Sequence, residues 1–224
     1  MKQFFLFLML FFSATECISQ SVPVPRDYSV IDSILGDLDK DGVDELVVAY
    51  NTKSDEEEID NGVPRELIIY KKVNHKWIVW QKSMQALLGS RDGGMMGDPF
   101  GEITIENGIL KILQEGGSSW KWNTIDKYRY DGKEFKLIGC ESHYGKLCEY
   151  FGSFDFNLVT GKIDVEKEFE RCKNDGENQV IYKRQNESFF KRGIVLTLQT
   201  RSAKDIVIVS PKYRHEIYIA SKQN

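Results

Sequence analysis

The stretch "GDLDKDGVDELVV" at residues 36–48 places an acid at alternate positions, then a glycine, then an apolar run. Counted from Asp37, side-chain oxygens fall at places 1, 3, 5 and 9, on Asp37, Asp39, Asp41 and Glu45, with Gly42 at place 6 and Val43 at place 7. A hard cation such as Ca²⁺ takes six to eight oxygens at about 2.3–2.6 Å. A loop whose alternate residues face inward supplies most of them, with a glycine at the sharp turn and a backbone carbonyl beside it. The four carboxylates repel one another unless something positive offsets them. Asp37, Asp39, Asp41 and Glu45, together with the Val43 carbonyl, are therefore expected to hold a structural Ca²⁺; the competing reading is a solvated turn without an ion. Asp44, at place 8, is expected to face outward. Place 12 is Val48, where an EF-hand has a bidentate Glu, and the residues after Gly42 are strand-like rather than helical.

That strand signal continues along the chain. "ELVVAY" (45–50), "RELIIYKK" (65–72), "KWIVWQK" (76–82), "EITIE" (102–106) and "ILKILQE" (109–115) are short runs rich in β-branched and aromatic residues. "ENG" (106–108), "DGK" (131–133) and "TGK" (160–162) read as hairpin connections, because Asn-Gly and Asp-Gly tolerate the positive φ of tight β-turns. "QVIYKR", "GIVLTLQT", "DIVIVS" and "EIYIAS" come later as further strands. The pattern predicts an all-β fold, an antiparallel meander that is propeller-like or a sandwich, with few or no helices; "WQKSMQALLG" (80–89) is the best helical candidate. No linker clearly divides residues 20–224, which are expected to form a single β-rich domain, although "KNDGENQ" (173–179) is a candidate break. "LGSRDGGMMGDPFG" (88–101) has neither period and should be a long loop, the kind of segment that often carries function.

The D-x-D-x-D-G-x-x-[DE] spacing ahead of a strand resembles the calcium loop of FG-GAP and VCBS repeats, modules of integrin-type β-propellers and many exported bacterial proteins. The match covers about twenty residues, and it implies the same five ligands, Asp37, Asp39, Asp41, Val43 and Glu45. More broadly, residues 28–162 resemble a group of exported bacterial β-rich proteins built on this loop and a meander; the resemblance implies a fold and a compartment but no activity.

The N-terminus supports export. Lys2 gives a positive start, "FFLFLMLFF" (4–12) an apolar core and "SATECISQ" a small-residue stretch, so residues 1–19 are expected to be a signal peptide cleaved after Ser19. Nine apolar residues fall short of the ~20 a membrane span requires, so the mature chain is expected to lack a transmembrane span and to be periplasmic or secreted. Glu16 precedes Cys17, where a lipid-modification signal wants a small residue. Cys140, Cys148 and Cys172 then remain, an odd number in an oxidising compartment, so one bridge and one free thiol is the simplest arrangement. Cys140 and Cys148 flank "ESHYGKL", a segment able to turn back on itself and join them, or both are buried and reduced.

Little else in the chain bears chemistry. A net charge of −4 without a basic block argues against nucleic acid as a partner. His75, His143 and His215 are isolated, and no nucleophile elbow, zinc spacing or phosphate-cradling loop is present, so no catalytic residue is assigned. Trp120, Trp122, Tyr128 and Tyr130 recur at every second residue or a multiple of it and should share one strand face, as core or as a stacking platform. Asp98, Glu102, Trp120 and Trp122 form a second candidate ligand surface. The sequence thus points to an exported, calcium-stabilised binding module for a protein or glycan of the cell envelope. The alternatives are a glycan-acting hydrolase using Asp98 and Glu102, or a periplasmic inhibitor or immunity protein.

Overall fold

Thirteen strands build three antiparallel sheets in a computed structural model that describes residues 21–52, 62–172 and 179–221. The expected signal peptide at 1–19 lies outside the described residues, as do residues 173–178 of the candidate break. The first sheet has the order β1 (Ser29–Gly36), β2 (Glu45–Asn51), β3 (Arg65–Val73) and β4 (Lys76–Ser83). The second runs from β5 (Phe100–Glu106) through β6 (Ile109–Gly117), β7 (Lys121–Tyr130), β8 (Phe135–Lys146), β9 (Tyr150–Asn157) and β10 (Lys162–Cys172) to β11 (Gln179–Phe190). β12 (Ile206–Val209) and β13 (Glu216–Ala220) form a two-stranded ribbon. Within each sheet every strand pairs with its neighbour in sequence, the meander that the hairpin signals predict. The described residues contain no α-helix, only two 3₁₀ turns, Gly94–Met96 and Leu198–Thr200. No helix among them is long and apolar enough to cross a membrane.

The three sheets share one hydrophobic core. Val47 and Ala49 of β2 and Leu67 and Ile69 of β3 meet the inner face of the seven-stranded sheet, and the ribbon adds Ile208, Ile217 and Ile219. The alternate residues of β2 and β3, Leu46, Val48, Tyr50, Ile68 and Tyr70, form a second cluster covered by Val22, Tyr28 and Trp77. β2 is therefore buried on both faces, which is why "ELVVAY" carries no polar alternation. Asn107 and Gly108 both adopt positive φ, 53° and 76°, as a two-residue hairpin turn requires.

Register across the long sheet sorts its inner-face residues into rows. Ile112, Asp126, Cys140, Phe156 and Ile163 lie opposite one another on β6 to β10, all buried. The next row holds Gln114, Thr124, Ser142, Phe154, Val165 and Glu187. One step further come Gly116, Trp122, Tyr144, Gly152, Lys167 and Gln185, and beyond them Lys146, Tyr150, Phe169 and Lys183. The same face thus passes from sealed core to a half-open aromatic and cationic surface over about 20 Å of strand.

Three expectations differ from the structure. "GIVLTLQT" joins no ladder beyond a single bridge between Thr197 and Lys136; Leu196 and Leu198 are buried, so the alternation there reports burial of an extended chain rather than membership of a sheet. In "WQKSMQALLG", Trp80–Ser83 belong to β4 and the remainder bends without forming a helix. One bridge and one free thiol are present, but the pairing is Cys148 with Cys172, and Cys140 is buried and free. Cys140 points into the core, whereas Cys148 lies in the turn after β8, next to the end of β10, with its Cα 5.1 Å from that of Cys172. The bridge spans 24 residues of chain. Replacing Cys148 and Cys172 together by Ser is expected to lower unfolding free energy by about 3 kcal/mol in urea denaturation, whereas reduction of the wild type should have the same effect and reduction of the double variant none.

Candidate functional site

The acidic loop joins β1 to β2 in a hairpin, and its carboxylates first serve the loop itself. Asp37 accepts the Asp41 N–H at 3.1 Å through Oδ1 and the Gly42 N–H at 2.9 Å through Oδ2, while Asp41 Oδ1 accepts the Val43 N–H at 2.8 Å. Gly42 has φ +87°, the left-handed conformation that the spacing demanded of it. Glu45, almost wholly buried, accepts the Leu38 N–H at 2.8 Å, and Leu38 itself is sunk into the core. Leu38 is thus the apolar pin that holds the acidic turn against the sheet. Asp44 is exposed, as expected, and so is Val43, whose carbonyl is its contribution in the calcium reading.

Asp37, Asp39 and Glu45 each bring an oxygen within 4.8 Å of the others. Asp41 stands beside this group. The Lys71 ammonium, from β3, enters the same cluster: it pairs closely with Asp39 and lies 3.3 Å from Glu45 Oε1 and 3.4 Å from Asp41 Oδ2. It also sits 4.4 Å from the centre of the Trp80 ring. Burial alone would lower the Lys71 pKa, but the Asp39 and Glu45 carboxylates outweigh it and raise it. Burial raises the Glu45 pKa despite the Leu38 N–H and Lys71, and the Val43 N–H holds Asp41 below its ordinary value. One acceptor is left over: Asp39 Oδ1 is buried and makes no hydrogen bond. The donor set therefore fits a hard cation, with Asp39 Oδ1 as an unused oxygen, and the ammonium supplies positive charge to the same carboxylates.

The second candidate set does not come together as one site. Asp98, at the end of the glycine-rich loop, forms a two-pronged pair with Arg65, whose side chain is 1% exposed, and also accepts the Phe100 N–H at 2.8 Å. Burial would raise the Asp98 pKa, but Arg65 and the Phe100 N–H hold it below its ordinary value. Glu102 is exposed on β5, the edge strand of the long sheet. Trp122 lies in the half-open row of that sheet, and Trp120, in the turn before β7, packs its ring 4.8 Å from that of Tyr150. Tyr128 is fully buried, so the aromatic face is core at one end and open at the other.

Two features escaped sequence reasoning. Lys71 stands two residues after Ile69 and four after Leu67, on the core-facing period of β3, and a cation at such a position is the signal that could have revealed it. Trp122 also lines a cavity of about 690 Å³ between the long sheet and the ribbon, together with Tyr144, Lys167, Arg214, His215 and Tyr218. Those residues lie too far apart in sequence to form a motif.

The Arg65–Asp98 pair yields a stability test. Asp98→Asn strands a buried guanidinium and is expected to cost about 2–4 kcal/mol, against less than about 0.5 kcal/mol for Glu102→Gln, by urea denaturation. Because the folded pKa of Asp98 is depressed, its contribution is present above its unfolded pKa of about 3.9 and lost as pH falls through the folded value. The gap between wild type and Asp98→Asn should therefore be full above about pH 5 and narrow below about pH 4. No family model, curated protein or solved structure matches this chain.

Proposed function

We propose that the chain is an exported binding module whose β1–β2 hairpin is stabilised by Ca²⁺ and whose ligand surface is the open end of the long sheet. The observation that carries the calcium reading is the convergence of oxygens from Asp37, Asp39 and Glu45 within 4.8 Å of one another, with Asp39 Oδ1 buried and unbonded. The FG-GAP and VCBS-like spacing supports the same ligands, with Asp41 and the Val43 carbonyl completing them. The ion would neutralise the carboxylates and fix the turn that feeds β2, so its binding free energy would add to folding free energy. The Cys148–Cys172 bridge supports an oxidising compartment and hence export.

A binding role is favoured over hydrolysis by the state of Asp98. Both Asp98 oxygens are taken up by the Arg65 guanidinium, so Asp98 has none free to serve a glycosidic bond or a water beside Glu102.

The test compares melting temperatures of the mature protein in Ca²⁺ and in chelator. Ca²⁺ is expected to raise the melting temperature of the wild type, and Asp37→Ala with Asp41→Ala to abolish the rise. Lys71→Met should destabilise by about 2–3 kcal/mol in chelator, with much of the loss recovered in Ca²⁺, because the ion takes over the charge that the ammonium supplied. A wild-type melting temperature that ignores both Ca²⁺ and chelator would leave Lys71 as the sole counter-charge and refute the calcium reading.

A further inference from the structure

We infer that the cavity between the long sheet and the ribbon binds an acidic saccharide, a sugar chain bearing carboxylates. The inference rests on the binding-module reading and does not require the calcium loop.

The floor is built by register. Trp122 lies opposite Gly116, and Tyr144 opposite Gly152. A Cβ on Gly116 would meet Trp122 Cζ2 at 2.7 Å, and one on Gly152 would meet Tyr144 Cζ at 2.7 Å. Each ring therefore lies across a neighbouring strand that has no side chain at that point. Glycine costs a strand interior both packing and chain entropy, so two of them opposite two large rings seat Trp122 and Tyr144 across the neighbouring strands at the expense of stability. Tyr150 and Tyr218 add further rings. Tyr218 is 60% exposed, and its hydroxyl donates to Glu216 at 2.7 Å.

Cations stand over this floor without carboxylate partners. The Lys167 ammonium is 3.5 Å from the centre of the Tyr150 ring and 5.2 Å from that of Phe169. Among the described residues neither Lys167 nor Arg214 belongs to an ion pair, whereas most lysines elsewhere on this sheet do. Arg214 lies in the turn between β12 and β13 and lines the cavity. Burial, together with neighbouring Lys183, lowers the Lys167 pKa, so an anion at this point would relieve a repulsion already present. His215 Nε2 is shielded and makes no hydrogen bond.

These features select the ligand. Rings stack on the apolar faces of pyranoses, and hydroxyls of Thr124, Ser142 and Ser221 with the Glu216 carboxylate suit sugar hydroxyls. Two cations against one carboxylate favour a negatively charged sugar over a neutral one. About 690 Å³ is within the range of small-molecule sites.

The test is titration of intrinsic tryptophan fluorescence in the full mature chain with trigalacturonate and, separately, with neutral maltotriose. Trigalacturonate is expected to give a saturable change and to bind at least about tenfold more tightly than maltotriose. Lys167→Gln and Arg214→Gln should each weaken it by about tenfold while leaving the melting temperature unchanged, and the wild-type affinity should be the same in Ca²⁺ and in chelator. Equal binding of the two sugars, or unweakened binding by both variants, overturns the inference. A polyglutamate peptide that binds as tightly as trigalacturonate would assign the site to acidic peptides, overturning the saccharide class but not the binding role. Absence of binding by all three probes would overturn both.

Discussion

The Lys71 ammonium, enclosed by Asp39, Asp41 and Glu45 and capped by the Trp80 ring, is the interaction on which the four-stranded sheet depends. It joins the first hairpin to β3 and β4 through charge, alongside the Arg65–Asn51 and Tyr50–Tyr70 hydrogen bonds and the Lys82–Glu66 pair. Glu45 is nearly inaccessible to solvent, and a carboxylate so placed is tolerated only with hydrogen bonds and a counter-charge, which Leu38 and Lys71 provide. The acidic turn, the buried Leu38 and the start of β2 thus meet at that one acid.

The long sheet solves a different problem. Seven strands expose more inner face than the four-stranded sheet and the ribbon bury. The sequence responds row by row: Ile, Cys and Phe where the cover is complete, Ser, Thr and Gln at its margin, and Trp, Tyr, Gly and Lys where it ends. Aromatic rings laid over glycines keep the uncovered rows ordered without a third layer. Asp126, within the buried row, pairs with Arg201 and accepts the Tyr128 hydroxyl at 3.3 Å, so even the covered part holds a charge, and that charge is satisfied.

The strands were readable because most are short, β-rich runs bounded by turn residues, and the hairpin glycines marked the meander. β1 was obscured: "SVIDSILG" holds two serines, an aspartate and a terminal glycine, and comes after a proline-rich lead-in, so neither composition nor boundary announced it. "GIVLTLQT" misled because an extended chain pressed into a core shows the same alternation as a paired strand. In the acidic loop, sequence named the carboxylates and the turning glycine. It did not name Lys71, because a cation 26 residues beyond Glu45 becomes a neighbour only through the pairing of β2 with β3. Asp98 was legible as an acid beside a glycine-rich loop, but its role depended on Arg65, which looked like an ordinary strand-opening charge.

The burial of Cys140 decides which cysteines can bridge in the folded chain. Thiol–disulfide exchange needs a thiolate, and burial pushes the Cys140 thiol well above its ordinary value. In the folded chain it is therefore a spectator: it can neither attack the Cys148–Cys172 bond nor be reached by an oxidant. In the unfolded chain it is only eight residues from Cys148 and is that residue's closest competitor for a partner. Once the inner face of the long sheet closes over Cys140, Cys148 and Cys172 are the pair left within reach of each other among the described residues, so the packed core itself selects the bridge.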